Sequence, residues 1–156
     1  MSLRIFAILA FLAISISPAH AAPTANLAVE PWSDNQLVQP PDFVRELAQL
    51  RNSPPVILYV GVHTLYQGAH IPGAKFIGAA STEAGLAALK NWAAANSHSA
   101  DIVIYCGCCP FAHCPNIRPA FIALRDLGFT HVRVLAIPTS FAADWVEKGY
   151  IVEKGL

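Results

Sequence analysis

Ile102-Val103-Ile104-Tyr105-Cys106-Gly107-Cys108-Cys109-Pro110-Phe111-Ala112-His113-Cys114-Pro115 runs from an apolar, largely β-branched segment straight into a knot of cysteines. A short apolar run bounded by breakers reads as a strand covered on both faces, the environment of a parallel sheet flanked by helices. Beyond Pro115, Ile117, Phe121, Leu124 and Leu127 recur at helical spacing until Gly128, a usual helix stop. The stretch is therefore predicted to be a strand, a loop and a helix, with all four cysteines of the chain in the loop.

The same alternation continues on both sides. Upstream, Val56 to Val60 is a second apolar run, preceded by a helical pattern over Asp42 to Arg51 (Phe43, Val44, Leu47, Leu50) set between Pro41 and Pro54-Pro55. A polar turn is expected at Gln67-Gly68, a short strand at Phe76-Ile77, and a helix from Thr82 to Ala95 capped by Ser81. Downstream, His131 to Leu135 alternates as a strand, and Ser140 to Lys148 forms a last helix ending at Gly149. Strands alternating with helices predict an α/β fold of three layers, a central, mainly parallel sheet with helices on both faces. Residues 42–156 form this one domain, and the proline-punctuated residues 22–41 read as an extended arm. Ahead of them, Arg4, an apolar run from Ile5 to Ile14 and the small-x-small site Ala19-His20-Ala21 make residues 1–21 a signal peptide cleaved after Ala21. The run is too short for a membrane anchor, so a periplasmic or secreted protein with no membrane span after cleavage is expected.

Composition narrows the function classes. The 156 residues hold ten basic and ten acidic side chains; 54% are hydrophobic and 13% charged, which excludes a disordered tail and leaves no basic footprint for nucleic acid. No heptad pattern argues for self-association, so a monomer is expected. All four cysteines fall between Cys106 and Cys114, where disulfides would staple almost nothing, and the cluster therefore reads as chemistry. It sits where open α/β sheets bind ligands, at a strand's carboxyl end, ahead of a helix whose free amides favour a thiolate or an anion. Arg118, one turn into that helix, is placed to contact an oxyanion.

Val56 to Val60, His70-Ile71-Pro72-Gly73-Ala74, the strand ending in Tyr105-Cys106, Leu127-Gly128-Phe129, Val132 to Leu135 and Trp145-Gly149-Tyr150 together resemble a rhodanese domain over residues 42–153. The resemblance implies sulfur transfer. Cys106 would be the catalytic nucleophile, taking sulfane sulfur from a small anionic donor such as thiosulfate and passing it, as a persulfide, to a thiol or cyanide-like acceptor. Gly107, Cys108 and Cys109 would supply the binding loop and Arg118 would steer the donor; no metal or organic cofactor is implied. Gly61 and His63 stand where such domains usually carry an acidic residue and an arginine, and the loop holds three extra cysteines.

Those extra cysteines open two alternatives. Cys109 and Cys114 can pair as a disulfide, or act as a redox pair with Cys106 or Cys108 attacking, which would make a thiol-disulfide exchange protein. Cys108, Cys109, His113 and Cys114 also form a soft ligand set for copper(I) or zinc. His70 reads as a structural hydrogen-bonding residue.

Overall fold

A computed structural model describes residues 30–155. The signal peptide expected over residues 1–21, and the arm as far as residue 29, lie outside the described residues. Five strands, β1 (Leu37–Val38), β2 (Val56–Tyr59), β3 (Lys75–Phe76), β4 (Ile102–Tyr105) and β5 (Val132–Leu135), form one sheet in the order β1-β5-β4-β2-β3. Every strand pair is parallel, with Leu58 opposite Ile104 and Ile104 opposite Val134 across the middle of the sheet. Helices α1 (Pro40–Gln49), α2 (His63–Gly68), α3 (Glu83–Ala94) and α4 (Ile117–Asp126) connect them, and a π-helical turn (Ala142–Val146) follows β5.

Alternation along the apolar strands produces two cores. Leu58, Ile102, Ile104, Val132 and Val134 face one side, where Leu89 of α3 and Phe121 and Leu124 of α4 cover them. Ile57, Tyr59, Val103, Tyr105 and Leu135 face the other, against Phe43 of α1, Tyr66 of α2 and Trp145. Burying each such side chain is worth about 1.5–3 kcal/mol, so an all-apolar strand is stable only with helices on both faces. The expected α/β architecture of three layers is what the chain adopts.

Local differences have physical reasons. The described part of the expected arm is built into the fold: β1 pairs with β5, and Trp32 is buried against Phe111 and Phe121, so the folded unit begins ahead of residue 42. Residues 63–68 wind into α2 instead of turning. The cap of α3 is Thr82, whose Oγ1 accepts the Gly85 amide at 3.1 Å, while the Ser81 amide is drawn away to Asn116 Oδ1 at 3.0 Å. In α4 the proline of the first turn is Pro119, where a missing N–H has no intrahelical carbonyl to lose.

Candidate active site at the end of the central strand

Strand β4 lies between β2 and β5, so Cys106 leaves the sheet at its centre. Gly107 then turns the chain at φ +152°, and a Cβ there would lie 2.5 Å from that of Phe141, a clash only glycine avoids. The loop is held by hydrogen bonds from the Phe141 amide to Gly107 O (3.1 Å) and from the Phe111 amide to Ile137 O (3.1 Å). A 3-10 turn, Phe111–His113, doubles the chain back and delivers Cys114 to the start of α4.

This path gathers sulfur. The Sγ atoms of Cys106, Cys108 and Cys114 all lie within 4.8 Å of one another. Cys106 Sγ donates to Cys108 Sγ at 3.3 Å, and Cys109 Sγ is 3.0 Å from Cys108 Sγ on the far side. Asn116, buried at the cap of α4, donates through Nδ2 to Cys106 Sγ (3.4 Å) and more weakly towards Cys108 Sγ (3.9 Å), while Ser81 fixes its carbonyl end. Gly61 leaves room on the other side: a methyl there would meet Tyr59 Oη at 2.8 Å and Cys106 Sγ at 2.9 Å.

The protons are unevenly shared. The Cys106 thiol facing it, followed by the amides of Asn116 and Ile117, holds Cys114 down to about 6 against the opposing effect of burial. Cys106 moves the other way, pushed up by the facing Cys114 sulfur and by burial. Burial first, then the Cys108 and Cys114 sulfurs, pushes Cys109 up to about 12. These shifts favour a thiolate at the helix end over one on the strand.

A cleft of about 420 Å³ opens over the loop, with Tyr59, Gly107, Cys108, Phe141 and Lys154 among its walls. Of the expected site residues, only Gly107 and Cys108 line it. Cys106 is 2% exposed and is not among the residues that line the cleft, whereas Cys108 is. Arg118, expected to steer the donor, pairs with Glu30, donates to Cys114 O at 3.4 Å and lies 5.6 Å from the centre of the Trp32 ring, and it is not among the residues that line the cleft. The candidate ligand set also changes. His113 is exposed and Cys109 lies outside the three-sulfur group, which Cys106 completes instead. His70 is buried and structural, stacked on Tyr66 at 3.8 Å and donating from Nδ1 to Tyr66 O at 2.8 Å.

Three residues escaped sequence reasoning. Asn116 carried one usable signal, a cap-type residue just ahead of a helical stripe. Tyr59 reads as one more aromatic in an apolar strand, and Lys154 as a solvated charge near the end of the chain.

A parallel α/β sheet whose middle strand ends in a cysteine loop feeding a helix defines the class of site. No protein-family model matches the sequence, and no curated protein does. Among solved structures, the rhodanese-like domain of the Alr3790 protein from Anabaena sp is similar over 76% of this chain and 79% of its own, with 23% identity and a TM-score of 0.54. A crystal structure of the Alr3790 protein matches over 72% of this chain and 91% of its own (22% identity, TM-score 0.53). The BH2092 protein from Bacillus halodurans matches over 75% of each chain (18% identity, TM-score 0.51). The chain has the rhodanese-like fold.

Proposed function

We propose that this domain is a sulfurtransferase, moving sulfane sulfur from a small anionic donor such as thiosulfate to a thiol or cyanide-like acceptor through a cysteine persulfide. The observation that carries this reading is the cysteine loop at the carboxyl end of the sheet, where half-buried Cys108 lines the cleft and its sulfur lies within 4.8 Å of two further sulfurs. Cys108 Sγ attacks the outer sulfur of thiosulfate and gives up its proton; the donor's S–S bond breaks and sulfite leaves with its electron pair. Cys106, the carrier expected from the resemblance, supports the cluster from behind. A stoichiometric burst of sulfite on mixing the reduced protein with thiosulfate tests the reading. The burst is expected in the parent and in Cys109→Ser, and is expected to vanish in Cys108→Ser. Its loss in Cys106→Ser but not in Cys108→Ser would return the role to Cys106, and no burst from the parent protein would sink the reading.

A soft ion is a second use of three sulfurs within 4.8 Å. Three thiolates at about 2.3 Å from an ion in one plane stand about 4 Å apart. The 3.3 Å contact between Cys106 and Cys108 is tighter than that and favours sulfur-to-sulfur chemistry. The leader-like first 21 residues further lead us to place the protein in the periplasm or outside the cell, and N-terminal sequencing of the mature chain, expected to begin at Ala22, checks it. A mature chain that retained residues 1–21 would refute this placement.

A further inference from the structure

A persulfide carrier needs one thiol, yet this loop packs additional sulfurs against Cys108 on its inner side, where external acceptors do not reach. Cys114, 3% exposed, lies within 4.8 Å of both Cys108 Sγ and Cys106 Sγ and is anchored at the start of α4. We propose that the domain reduces its own persulfide: Cys114 Sγ attacks Cys108 Sγ, forms a Cys108–Cys114 disulfide and expels the terminal sulfur as hydrosulfide. The proposal rests on the sulfur-transfer reading above and names the acceptor of that sulfur as a thiol of the same chain.

Three neighbours compete for this role, and geometry separates them. Cys109 Sγ is nearest to Cys108 Sγ, at 3.0 Å, but the two are adjacent in sequence, and a disulfide between neighbours closes a strained ring around a distorted peptide. Cys106 Sγ is 3.3 Å away, yet it is the donor in that contact, is buried at the strand end, is itself held by Asn116 Nδ2 at 3.4 Å, and is separated from Cys108 by Gly107 alone. Thiol-disulfide exchange needs a thiolate as attacker. Cys114 is placed for it: its Sγ lies within 4.8 Å of Cys108 Sγ just ahead of the first turn of α4, whose free amides favour an anion. The chain between the two is already folded back, since the 3-10 turn Phe111–His113 ends with the Cys114 amide donating to Phe111 O at 3.2 Å. Closing the disulfide therefore tightens a loop that is already closed.

The electrons and atoms balance. The protonated persulfide Cys108–S–SH and the Cys114 thiolate give the disulfide and HS⁻: the new bond joins Cys114 Sγ to Cys108 Sγ, and the bond from Cys108 Sγ to the terminal sulfur breaks with its pair on the leaving sulfur. Two protein thiols are oxidised to a disulfide, and the sulfane sulfur is reduced to sulfide. With thiosulfate as donor, one turnover converts one thiosulfate and two thiols into sulfite, hydrogen sulfide and one disulfide. A small external dithiol resets the pair.

The test is an anaerobic single turnover of the fully reduced mature protein with thiosulfate, reading sulfite, sulfide, intact mass and disulfide-linked peptides on the same sample. The parent protein is expected to release one sulfite and one sulfide per chain, to lose about 2 Da and to yield a linked Cys108–Cys114 peptide. Cys114→Ser and Cys114→Ala are both expected to release sulfite, to gain about 32 Da at Cys108 and to lose at least tenfold in sulfide. Sulfite release by these variants also shows that they are folded. If they do not fold, the parent's linked peptide still decides. Parent protein that releases sulfite but holds a lasting gain of about 32 Da without sulfide overturns the internal acceptor and leaves sulfur transfer standing. A linked Cys106–Cys108 peptide, or added sulfur mapped to Cys114, overturns the assignment to Cys114 as the attacking thiol. Absence of sulfite from the parent sinks the sulfur-transfer reading itself.

Discussion

Tyr59 carries the one buried side-chain polar atom without a hydrogen-bond partner among the described residues. Its hydroxyl sits beside Cys106 across Gly61, on a residue 1% exposed that also lines the cleft. An unsatisfied buried hydroxyl costs about 1–3 kcal/mol, and Tyr105, packed against it edge-on at 5.1 Å, shows the usual solution by accepting the Ile71 amide at 3.0 Å. On the proposed sulfur transfer, the terminal sulfur of a persulfide would supply the acceptor that this unpaired donor lacks. Tyr59→Phe is therefore expected to raise stability by about 1 kcal/mol while slowing the sulfite burst about tenfold. Thermal unfolding and rapid-mixing kinetics on one preparation check both. A variant that is stabilised but equally fast would make Tyr59 a packing residue only.

Elements differ in how far they were legible. Strands β2 and β4 announce themselves because each is an apolar run cut off by prolines, charges or glycine, and burial on both faces leaves no other use for such a run, while β5 shows itself by alternation around Arg133. Strand β1 is two residues long and lies between a polar turn and a proline pair, too short to show any period. Helix α2 is six residues with one buried side chain, Tyr66, so it has no apolar stripe to detect. The loop after β4 was legible as a place for chemistry but not as a geometry. Which sulfurs meet depends on Gly107, on one 3-10 turn and on Asn116 reaching back from the helix cap. Arg118 shows the same limit: its partner, Glu30, stands 88 residues earlier, and no local pattern reveals that pairing.

At the scale of the whole molecule, ten basic and ten acidic residues cancel, so the anionic donor proposed above would find no long-range attraction, and its capture would fall to charges at the cleft itself. Glu30 clasps Arg118 on α4, while Glu153 bridges to His70 and brings Lys154 to the cleft wall. The first clasp removes a cation from service and the second supplies one, since Lys154 is the only charged residue among the described residues lining the cleft. Lys154→Gln is expected to raise KM for thiosulfate about three- to tenfold with kcat little changed, because an exposed charge beside a small anion is worth about 1 kcal/mol. Raising the salt from low to about 0.5 M should erode the parent's advantage over the variant, as screening shortens the reach of Lys154 to a few ångströms. Arg118→Gln should leave KM unchanged and lower the melting temperature instead, through its contacts to Glu30 and Trp32. Steady-state kinetics at two salt concentrations, with melting curves for both variants, separate these roles; a KM change in Arg118→Gln and none in Lys154→Gln would reverse them.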